Sequence, residues 1–366
     1  MRHDPVKRDA EDKVSQRVAF LPDLATLRGN PYWDLLAMSL RRYGVEVLES
    51  NPNTLSLSWL LRNRRTISIL HYHYIQEEYA YEHDYARLRW VVRFSRSLLV
   101  AHLLGYRIVW TMHNTIPVHP LEPAWIEHLA HWLIAQLSNS VIVHCEAAKE
   151  ILLQKYGRRS GVVIAQHPNF IGFYPNLSDK ALARASLGLT ETQRVVLYFG
   201  GIRPNKGIES LIAAFGAFND PEAQLIIAGA PQVNPSYARQ LMDEATHDGR
   251  VIFRGERIPD DEVHVLFNAA DLVVLPFTNV LTSSSLALAM SFGRPVIAPR
   301  MGCMPDVLTP DVGWLFEPNN IEALTQTIAH AFESDLDRIG CNVYERIRSY
   351  TWDQFVQQTM LAYGMH

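Results

Sequence analysis

The 366-residue sequence lacks the features that mark several classes of protein. Its three cysteines, Cys145, Cys303 and Cys341, are widely separated and form no CxxC pair, which favours buried free thiols in a reducing compartment over a disulfide framework or a zinc site. The net charge of -4 argues against a general nucleic-acid binder, which normally carries a basic excess. There is no apolar stretch of membrane-spanning length, and residues 1–16 lack the apolar core of a secretory signal.

Two series of apolar, strand-like runs alternate with helical patterns, and 48% of the residues are hydrophobic. The first series lies at residues 17–21, 44–48, 67–72, 107–111 and 140–144. The second series lies at residues 195–199, 224–228, 251–253, 272–275 and 295–298. Such alternation is typical of parallel sheets that helices cover on both faces.

The restart of the pattern predicts an α/β protein of two domains. A stretch rich in proline, glycine and aromatic residues, 168–176, separates the two series. We predict an N-terminal domain at 1–170, a C-terminal domain at 171–348 and a last helix at 349–366. That helix either packs back on the first domain or simply caps the chain. Ligands of such sheets bind beyond the carboxyl ends of the strands.

A loop with two glycines and two cations follows the predicted strand that ends at Phe199. Gly200 and Gly201 permit a sharp turn and a close approach of ligand to backbone. Arg203 and Lys206 then stand at the start of a helix, where a planar guanidinium and an ammonium suit a diphosphate. A solvated turn with two surface cations is the alternative explanation.

A run of hydroxyl side chains precedes the predicted helix 286–291 and comprises Thr282, Ser283, Ser284 and Ser285. Serine and threonine favour helix N-caps, and the free amides of a helix start also bind phosphate. An ordinary N-cap explains this run by itself. The basic loop after one strand and the hydroxyl-rich helix start after another together favour a phosphate site.

The loop Gly-Ile-Arg-Pro-Asn-Lys-Gly at 201–207 resembles the donor-phosphate loop of GT-B glycosyltransferases of the glycosyltransferase-4-like group. Segments 271–276, 291–298 and 302–306 resemble the next motifs of that group, in the same order. Segments 71–73, 111–114 and 143–149 resemble its N-terminal motifs. The resemblance covers residues 18–352 and implies a GT-B fold, in which two Rossmann-like domains face an interdomain cleft.

The sequence departs from that group at two positions. Retaining members have two glutamates eight positions apart, which here align with Val280 and Leu288. Segment 281–290 instead resembles a branch that contains the xanthan-type β-1,4-mannosyltransferases, which use GDP-mannose and a lipid-linked oligosaccharide. The departure questions a retaining mechanism and removes the usual pair of carboxylates that hold the donor.

The motifs and the resemblance together predict three sets of site residues. The predicted catalytic residues are His113, Arg203 and Lys206. The predicted donor-binding residues are Gly200, Gly201, Arg203, Lys206, Glu256, Thr282, Ser283, Ser284 and Ser285. The predicted acceptor-side residues are Arg28, Gly29, Asn30, His71 and His73.

The predicted reaction needs neither a metal nor a cofactor, because cations and helix amides can stabilise charge developing on the β-phosphate. An inverting enzyme needs a general base, for which the candidates are His113, His71, His73, Asp23 and Glu78. In a retaining enzyme the departing phosphate can deprotonate the acceptor. A structural histidine and an exposed loop carboxylate are the alternative interpretations of His113 and Glu256.

A basic, aromatic stretch carries Arg87, Arg89, Arg93 and Arg96 among apolar residues. It is consistent with contact to an anionic membrane, or with a surface helix whose apolar face is core. We therefore expect a cytoplasmic protein, at the inner face of the membrane if that contact exists.

The predicted function is that of a hexosyltransferase in surface polysaccharide synthesis. It moves a hexose from a nucleoside-diphosphate sugar, with GDP-mannose favoured, to a glycan or lipid-linked acceptor. One alternative is a retaining enzyme that uses a UDP-sugar. Another is a non-catalytic protein that binds sugar nucleotides or glycans. A dinucleotide-dependent oxidoreductase is disfavoured, because no GxGxxG follows the first strand.

Overall fold

The computed structural model of the chain describes residues 16–27, 29–49, 55–75, 84–114, 124–232 and 235–365. The chain divides into two units. Unit 1 comprises Met1–Gln166 and Trp352–His366, and unit 2 comprises His167–Thr351. The predicted class, two parallel-sheet α/β domains, is confirmed.

Unit 1 contains a six-stranded parallel sheet with the order β2-β1-β3-β4-β5-β6. Its strands are β1 (Gln16–Leu21), β2 (Val45–Val47), β3 (Ile69–Tyr72), β4 (Arg107–Thr111), β5 (Ser140–Val143) and β6 (Val162–Ile164). Its first helices are α1 (Leu24–Leu27), α2 (Pro31–Arg42), α3 (Leu57–Asn63), α4 (Asp84–Leu103), α5 (Ala124–Leu137) and α6 (Glu146–Tyr156). The central strands are buried along their length because helices cover both faces.

Unit 2 contains a second parallel sheet with the order β12-β11-β10-β7-β8-β9. Its strands are β7 (Arg194–Phe199), β8 (Ala223–Ala228), β9 (Val251–Arg254), β10 (Leu272–Val274), β11 (Val296–Pro299) and β12 (Gly313–Phe316). Its helices are α7 (Lys180–Ser186), α8 (Ile208–Ala217), α9 (Pro235–Ala245), α10 (Val263–Ala269), α11 (Ser284–Ser291), α12 (Met304–Val307), α13 (Ile321–Phe332) and α14 (Leu336–Arg348).

The last helix, α15 (Trp352–Ala362), packs against α2, β5 and β6 of unit 1. The guanidinium of Arg107 donates a hydrogen bond to the carbonyl oxygen of Ala362 over 2.8 Å. The Tyr363 hydroxyl lies 2.8 Å from Nδ1 of His71. Of the two possibilities for this helix, the structure shows the one in which it returns to the first unit.

The strand order of each sheet reverses at one point. In unit 2 the chain runs from β7 through β8 to β9, and then crosses to β10 on the other side of β7. In unit 1 the same reversal lies between β1 and β3. Such a switch point leaves a crevice at the carboxyl ends of the two strands, where ligands of open α/β sheets bind. None of the described helices is long and apolar enough to cross a membrane.

Candidate functional site

The loops after β7, β8 and β10 meet at the switch point of unit 2. A Cβ added to Gly229 would collide with the carbonyl oxygen of Gly200, and one added to Gly207 would collide with that of Pro276. Both glycines have positive φ, +155° and +66°, so the backbone conformation as well as the space excludes a side chain. The segment 200–207 is therefore held between its neighbours by direct backbone contact.

Backbone hydrogen bonds reinforce these contacts. The amide of Ile202 donates to the carbonyl oxygen of Ala230 over 2.8 Å, and the amide of Thr278 donates to that of Asn205 over 3.1 Å. The hydroxyl of Tyr198 donates to the carbonyl oxygen of Gly201 over 2.9 Å. The loop that carries the predicted cations therefore has a defined path.

The two predicted cations, Arg203 and Lys206, stand on this one loop. Lys206 ends a short 3-10 turn, and its ammonium lies 4.4 Å from the ring centre of Phe277. Burial, together with the smaller effect of the charge on Arg203, lowers the pKa of Lys206 to about 7. Near neutral pH both the ammonium and the neutral amine form of Lys206 are therefore populated. A nearby anion favours the ammonium.

The start of α11 joins the same loops. A Cβ on Gly200 would lie 3.0 Å from Oγ of Ser285, so the segment after β7 and the helix start are in contact. Ser283 is the N-cap, because its hydroxyl oxygen accepts a hydrogen bond from the amide of Leu286 over 3.1 Å. Both signals that the sequence placed in the donor site therefore lie together, with Thr282 at the preceding, partly exposed position.

His167 also reaches this helix start, and the sequence analysis did not single it out. Its Nδ1 lies 2.9 Å from the carbonyl oxygen of Pro168, which can only accept, so this nitrogen carries the proton. Its Nε2 then accepts from the hydroxyl of Ser284 over 3.0 Å. Ser284 is thereby oriented by a residue 117 positions away in the chain.

The remaining donor-side residues lie farther from the switch point or within the core. Glu256 follows β9, which β8 separates from β7, and its exposed carboxylate pairs with Arg254 over 3.3 Å. Leu288 is buried in α11, and the backbone of Val280 lies against Gly302. Leu288 is therefore a core residue and Val280 is partly exposed, and neither position offers a carboxylate to a ligand.

Three histidines form a hydrogen-bonded chain beyond the carboxyl ends of β3, β4 and β5 in unit 1. Nδ1 of His73 lies 3.2 Å from Nε2 of His113, and Nδ1 of His113 lies 3.5 Å from Nε2 of His144. Nδ1 of His144 lies 2.8 Å from the carbonyl oxygen of Ala165. All three imidazoles are buried.

The carbonyl oxygen of Ala165 sets the direction of this chain. A carbonyl only accepts, so His144 carries its proton on Nδ1, and its Nε2 accepts from Nδ1 of His113. Nε2 of His113 then accepts from Nδ1 of His73. Nε2 of His73 remains as a buried lone pair without a hydrogen-bond partner among the described residues. The chain thus presents one acceptor at its end.

The neighbouring His71 has a different environment. One ring nitrogen contacts the Tyr363 hydroxyl and the other lies 2.7 Å from Oγ1 of Thr111. Burial lowers the pKa of His71 to about 3, so its ring is neutral. Trp33 packs edge-on to His73 with ring centres 4.7 Å apart. The predicted acceptor-side pair therefore divides into one internally bonded ring and one with an unsatisfied nitrogen.

Two further acceptor-side residues shape the segment after β1. Gly29 has φ of +111°, and the side chain of Asn30 caps α2 by accepting from the amide of Tyr32 over 3.1 Å. Asp23 similarly accepts from the amide of Thr26 over 2.9 Å. Arg28 and Glu78 lie outside the described residues.

The described residues contain no group of three or more histidine, cysteine, aspartate or glutamate side chains arranged to hold a metal ion. In the histidine chain the paired ring nitrogens point at one another, and Nδ1 of His144 points at the carbonyl oxygen of Ala165. These nitrogens are therefore arranged for hydrogen bonds.

The buried histidines predict a loss of stability in acid. Burial lowers the pKa of His144 and of His131 to about 4, and it also lowers the pKa of His73. Below about pH 6.5 the unfolded chain binds protons that the folded chain refuses, so each such histidine costs up to about 1.4 kcal/mol per pH unit. We expect urea midpoints to fall steeply from pH 6.5 to 5.

Two variants at buried histidines and one control at an exposed histidine test this assignment. His131→Gln should make the pH dependence shallower, and so should His71→Asn. His247→Gln, at an exposed position of unit 2, should leave it unchanged. Equal slopes in all four proteins would contradict the assignment to buried histidines.

Unit 2 is similar in sequence to known proteins. A family model described as glycosyl transferases group 1 matches residues 179–351, a little under half of the chain. The D-inositol 3-phosphate glycosyltransferase of Mycolicibacterium gilvum is 27% identical over 234 residues, which are 62% of this chain and 52% of the relative. That of Corynebacterium glutamicum is 29% identical over 206 residues, 53% and 49% of the two chains. The chain spans about half the length of the curated relatives it matches.

Solved structures resemble almost the whole chain. Sucrose-phosphate synthase of Thermosynechococcus elongatus superimposes with a TM-score of 0.72 at 20% identity, covering 95% of this chain and 98% of the other. Anabaena HepE, solved in complex with UDP, gives 0.70 at 18% identity, covering 95% and 99%. Unit 2 is thus similar in sequence to the glycosyl transferases group 1, and both units share the parallel-sheet α/β fold of these solved structures.

Proposed function

We propose that the chain is a glycosyltransferase that moves a hexose from a nucleoside-diphosphate sugar to a hydroxyl group of an acceptor. One observation carries the proposal. The loop that carries Arg203 and Lys206 meets the start of α11 at the switch point of unit 2, and glycines hold it in backbone contact with its neighbours. This is a site built for a diphosphate, and unit 1 supplies the acceptor side.

The chemistry of the donor explains why these groups are needed. When the bond between the sugar and its phosphate breaks, negative charge grows on the β-phosphate. Preorganised cations and helix amides stabilise that charge more than they stabilise the ground state, and so lower the barrier. Arg203 offers a planar fork and Lys206 a point charge, and neither role requires a metal.

The lowered pKa of Lys206 adds selectivity for anions. In the free protein the Lys206 side chain is partly in its neutral amine form near pH 7, because burial and the charge of Arg203 disfavour the ammonium. A bound diphosphate reverses that balance by restoring the ammonium next to the phosphate oxygens. The site thus reaches its full positive charge when the donor is present.

The donor nucleotide has two candidates. The resemblance of segment 281–290 to the mannosyltransferase branch favours GDP-mannose, and the absence of the glutamate pair fits that choice. Anabaena HepE, which was solved with UDP and with UDP-glucose, is the observation in favour of a UDP-sugar. We propose GDP-mannose first and treat a retaining UDP-sugar enzyme as the second candidate.

We assign the acceptor hydroxyl to the histidine chain of unit 1. A hydroxyl that donates to Nε2 of His73 would complete the hydrogen bonds of a buried lone pair. As that hydroxyl loses its proton, Nδ1 of His73 can release its own to His113, and Nδ1 of His113 can release one to His144. The atom that takes the acceptor's proton is thus Nε2 of His73. His113, at the centre, completes the proposed general base of an inverting reaction, because it accepts the proton that His73 releases.

The acceptor we propose is a glycan or a lipid-linked oligosaccharide in surface polysaccharide synthesis, reached from the cytoplasmic face of the membrane. The support is the resemblance to the mannosyltransferase branch, together with the basic, aromatic stretch of α4. A binding protein without turnover remains the competing outcome of the experiments below.

The first experiment is a thermal-shift panel with GDP, UDP, ADP, dTDP and their sugar conjugates. Ligand at about a hundred times its dissociation constant should add roughly 2.7 kcal/mol to the free energy of unfolding. A shift with GDP compounds supports the mannosyltransferase proposal, and a shift with UDP compounds supports the second candidate. Arg203→Ala should weaken binding by about 1.5–3 kcal/mol. A panel with no shift would remove the donor site.

The pKa of Lys206 predicts how diphosphate affinity depends on pH. The second phosphate ionisation has a pKa of about 6 and is largely complete at pH 7, so changes between pH 7 and 9 report mainly on the protein. As the free ammonium loses its proton in this window, the dissociation constant should rise up to tenfold per pH unit. Lys206→Met should bind weakly with no such slope, whereas the exposed-lysine control Lys149→Met should keep it. A slope retained in Lys206→Met refutes the assignment.

The role of His113 separates catalysis from binding. A general base contributes about a hundredfold or more to turnover, so His113→Ala should lose that factor in the release of nucleoside diphosphate from the donor. The affinity of the His113→Ala variant for the donor nucleotide should be unchanged. His247→Ala, at an exposed position, is the control. Wild-type turnover in His113→Ala would exclude this residue from the chemistry, and binding without release in the wild type would indicate a non-catalytic protein.

A further inference from the structure

Two neighbouring helices of unit 1, α4 and α5, share one side of its sheet. They connect β3 to β4 and β4 to β5, which are adjacent parallel strands, and right-handed crossovers place consecutive helices on the same face. The two helices pack against each other. Trp90, Phe94 and Leu98 of α4 and Ile134 of α5 are buried, so the opposite sides of both helices point outward.

The outward sides form one surface, which we call the arginine–tryptophan face. It consists of Arg89, Arg93, Arg96 and Leu99 from α4 with Trp125 and Trp132 from α5. Trp125 is 54% exposed, Trp132 43% and Leu99 49%. Large apolar side chains grouped on a surface indicate an interaction site, whereas single ones do not. Here they stand beside cations on adjoining helices.

The charge of this face has one sign. From Arg89 to its end, α4 carries no carboxylate, and the single carboxylate of α5, Glu127, is buried. None of the three arginines forms an ion pair with a described residue. Other arginines of the structure do pair with a carboxylate, namely Arg17, Arg184, Arg194 and Arg254. The whole chain has a net charge of -4, so the positive character is local.

We propose that the arginine–tryptophan face docks on the surface of an anionic phospholipid bilayer. The arginines complement the negative headgroups. Tryptophan rings favour the depth of the headgroups, where one edge is wet and the other is apolar. Leu99, with the exposed Val92 and Leu103 on the same helix, reaches the boundary of the acyl chains. The biological use of this surface rests on the proposed function, because it would bring unit 1 to a lipid-linked acceptor.

The test is flotation of the full chain with vesicles of phosphatidylcholine, with and without phosphatidylglycerol, in the absence of donor and acceptor. We expect binding to the anionic vesicles alone, and weaker binding as salt is raised. Arg89→Gln, Arg93→Gln and Arg96→Gln combined should weaken binding about a hundredfold, at about fivefold per charge. Trp125→Gln with Trp132→Gln should weaken it as well.

The matched control removes three exposed arginines of unit 2 by Arg300→Gln, Arg338→Gln and Arg348→Gln, which changes the net charge equally. This variant should bind as the wild type does. Equal loss in the control, or no binding of the wild type to anionic vesicles, would overturn the proposal. Self-association of the wild type in gel filtration, lost in the face variants, would show instead that two copies pair there. Vesicle binding needs no turnover, so its failure and the failure of the proposed function are separate results.

Discussion

Close backbone contact at glycine is the constraint on which the proposed donor site in unit 2 depends. Gly229 touches the carbonyl oxygen of Gly200, and Gly207 touches that of Pro276. Any side chain there would push apart the loops that follow three strands. The position of Arg203 and Lys206 relative to the start of α11 would be lost with them. Electrostatic stabilisation requires that such groups be in place before charge develops, so rigidity of the loops is part of the chemistry.

Burial lowers the pKa of basic side chains in both units, with a different consequence in each. In unit 2 it brings the pKa of Lys206 down to about 7, near the point where an arriving anion decides the charge. In unit 1 it holds His71 and His144 neutral, at pKa values of about 3 and 4. A neutral histidine chain suits a hydroxyl better than a phosphate. The same physical effect is therefore consistent with the two proposed roles, an anionic ligand for one unit and an uncharged hydroxyl for the other.

The sequence predicted the central strands and the glycine-rich loop well, because both depend on local signals. A buried strand shows as an unbroken apolar run, and Gly200 to Lys206 follows one directly. The edge strands β6 and β12 were missed, since they have three and four residues and each pairs with a single neighbour. His144 and His167 were not assigned roles, since their partners lie 31 and 117 positions away and only the fold brings them together.

The return of α15 to unit 1 has a consequence for how the chain is made. Unit 2 is inserted, in sequence, between the first 166 residues of unit 1 and the helix that completes it. A ribosome synthesises unit 2 entire before Tyr363 exists to meet His71, or Ala362 to meet Arg107. Unit 1 therefore begins to emerge before unit 2 but is completed after it. Until α15 has been synthesised, the surface of β5 and β6 that it covers stays exposed.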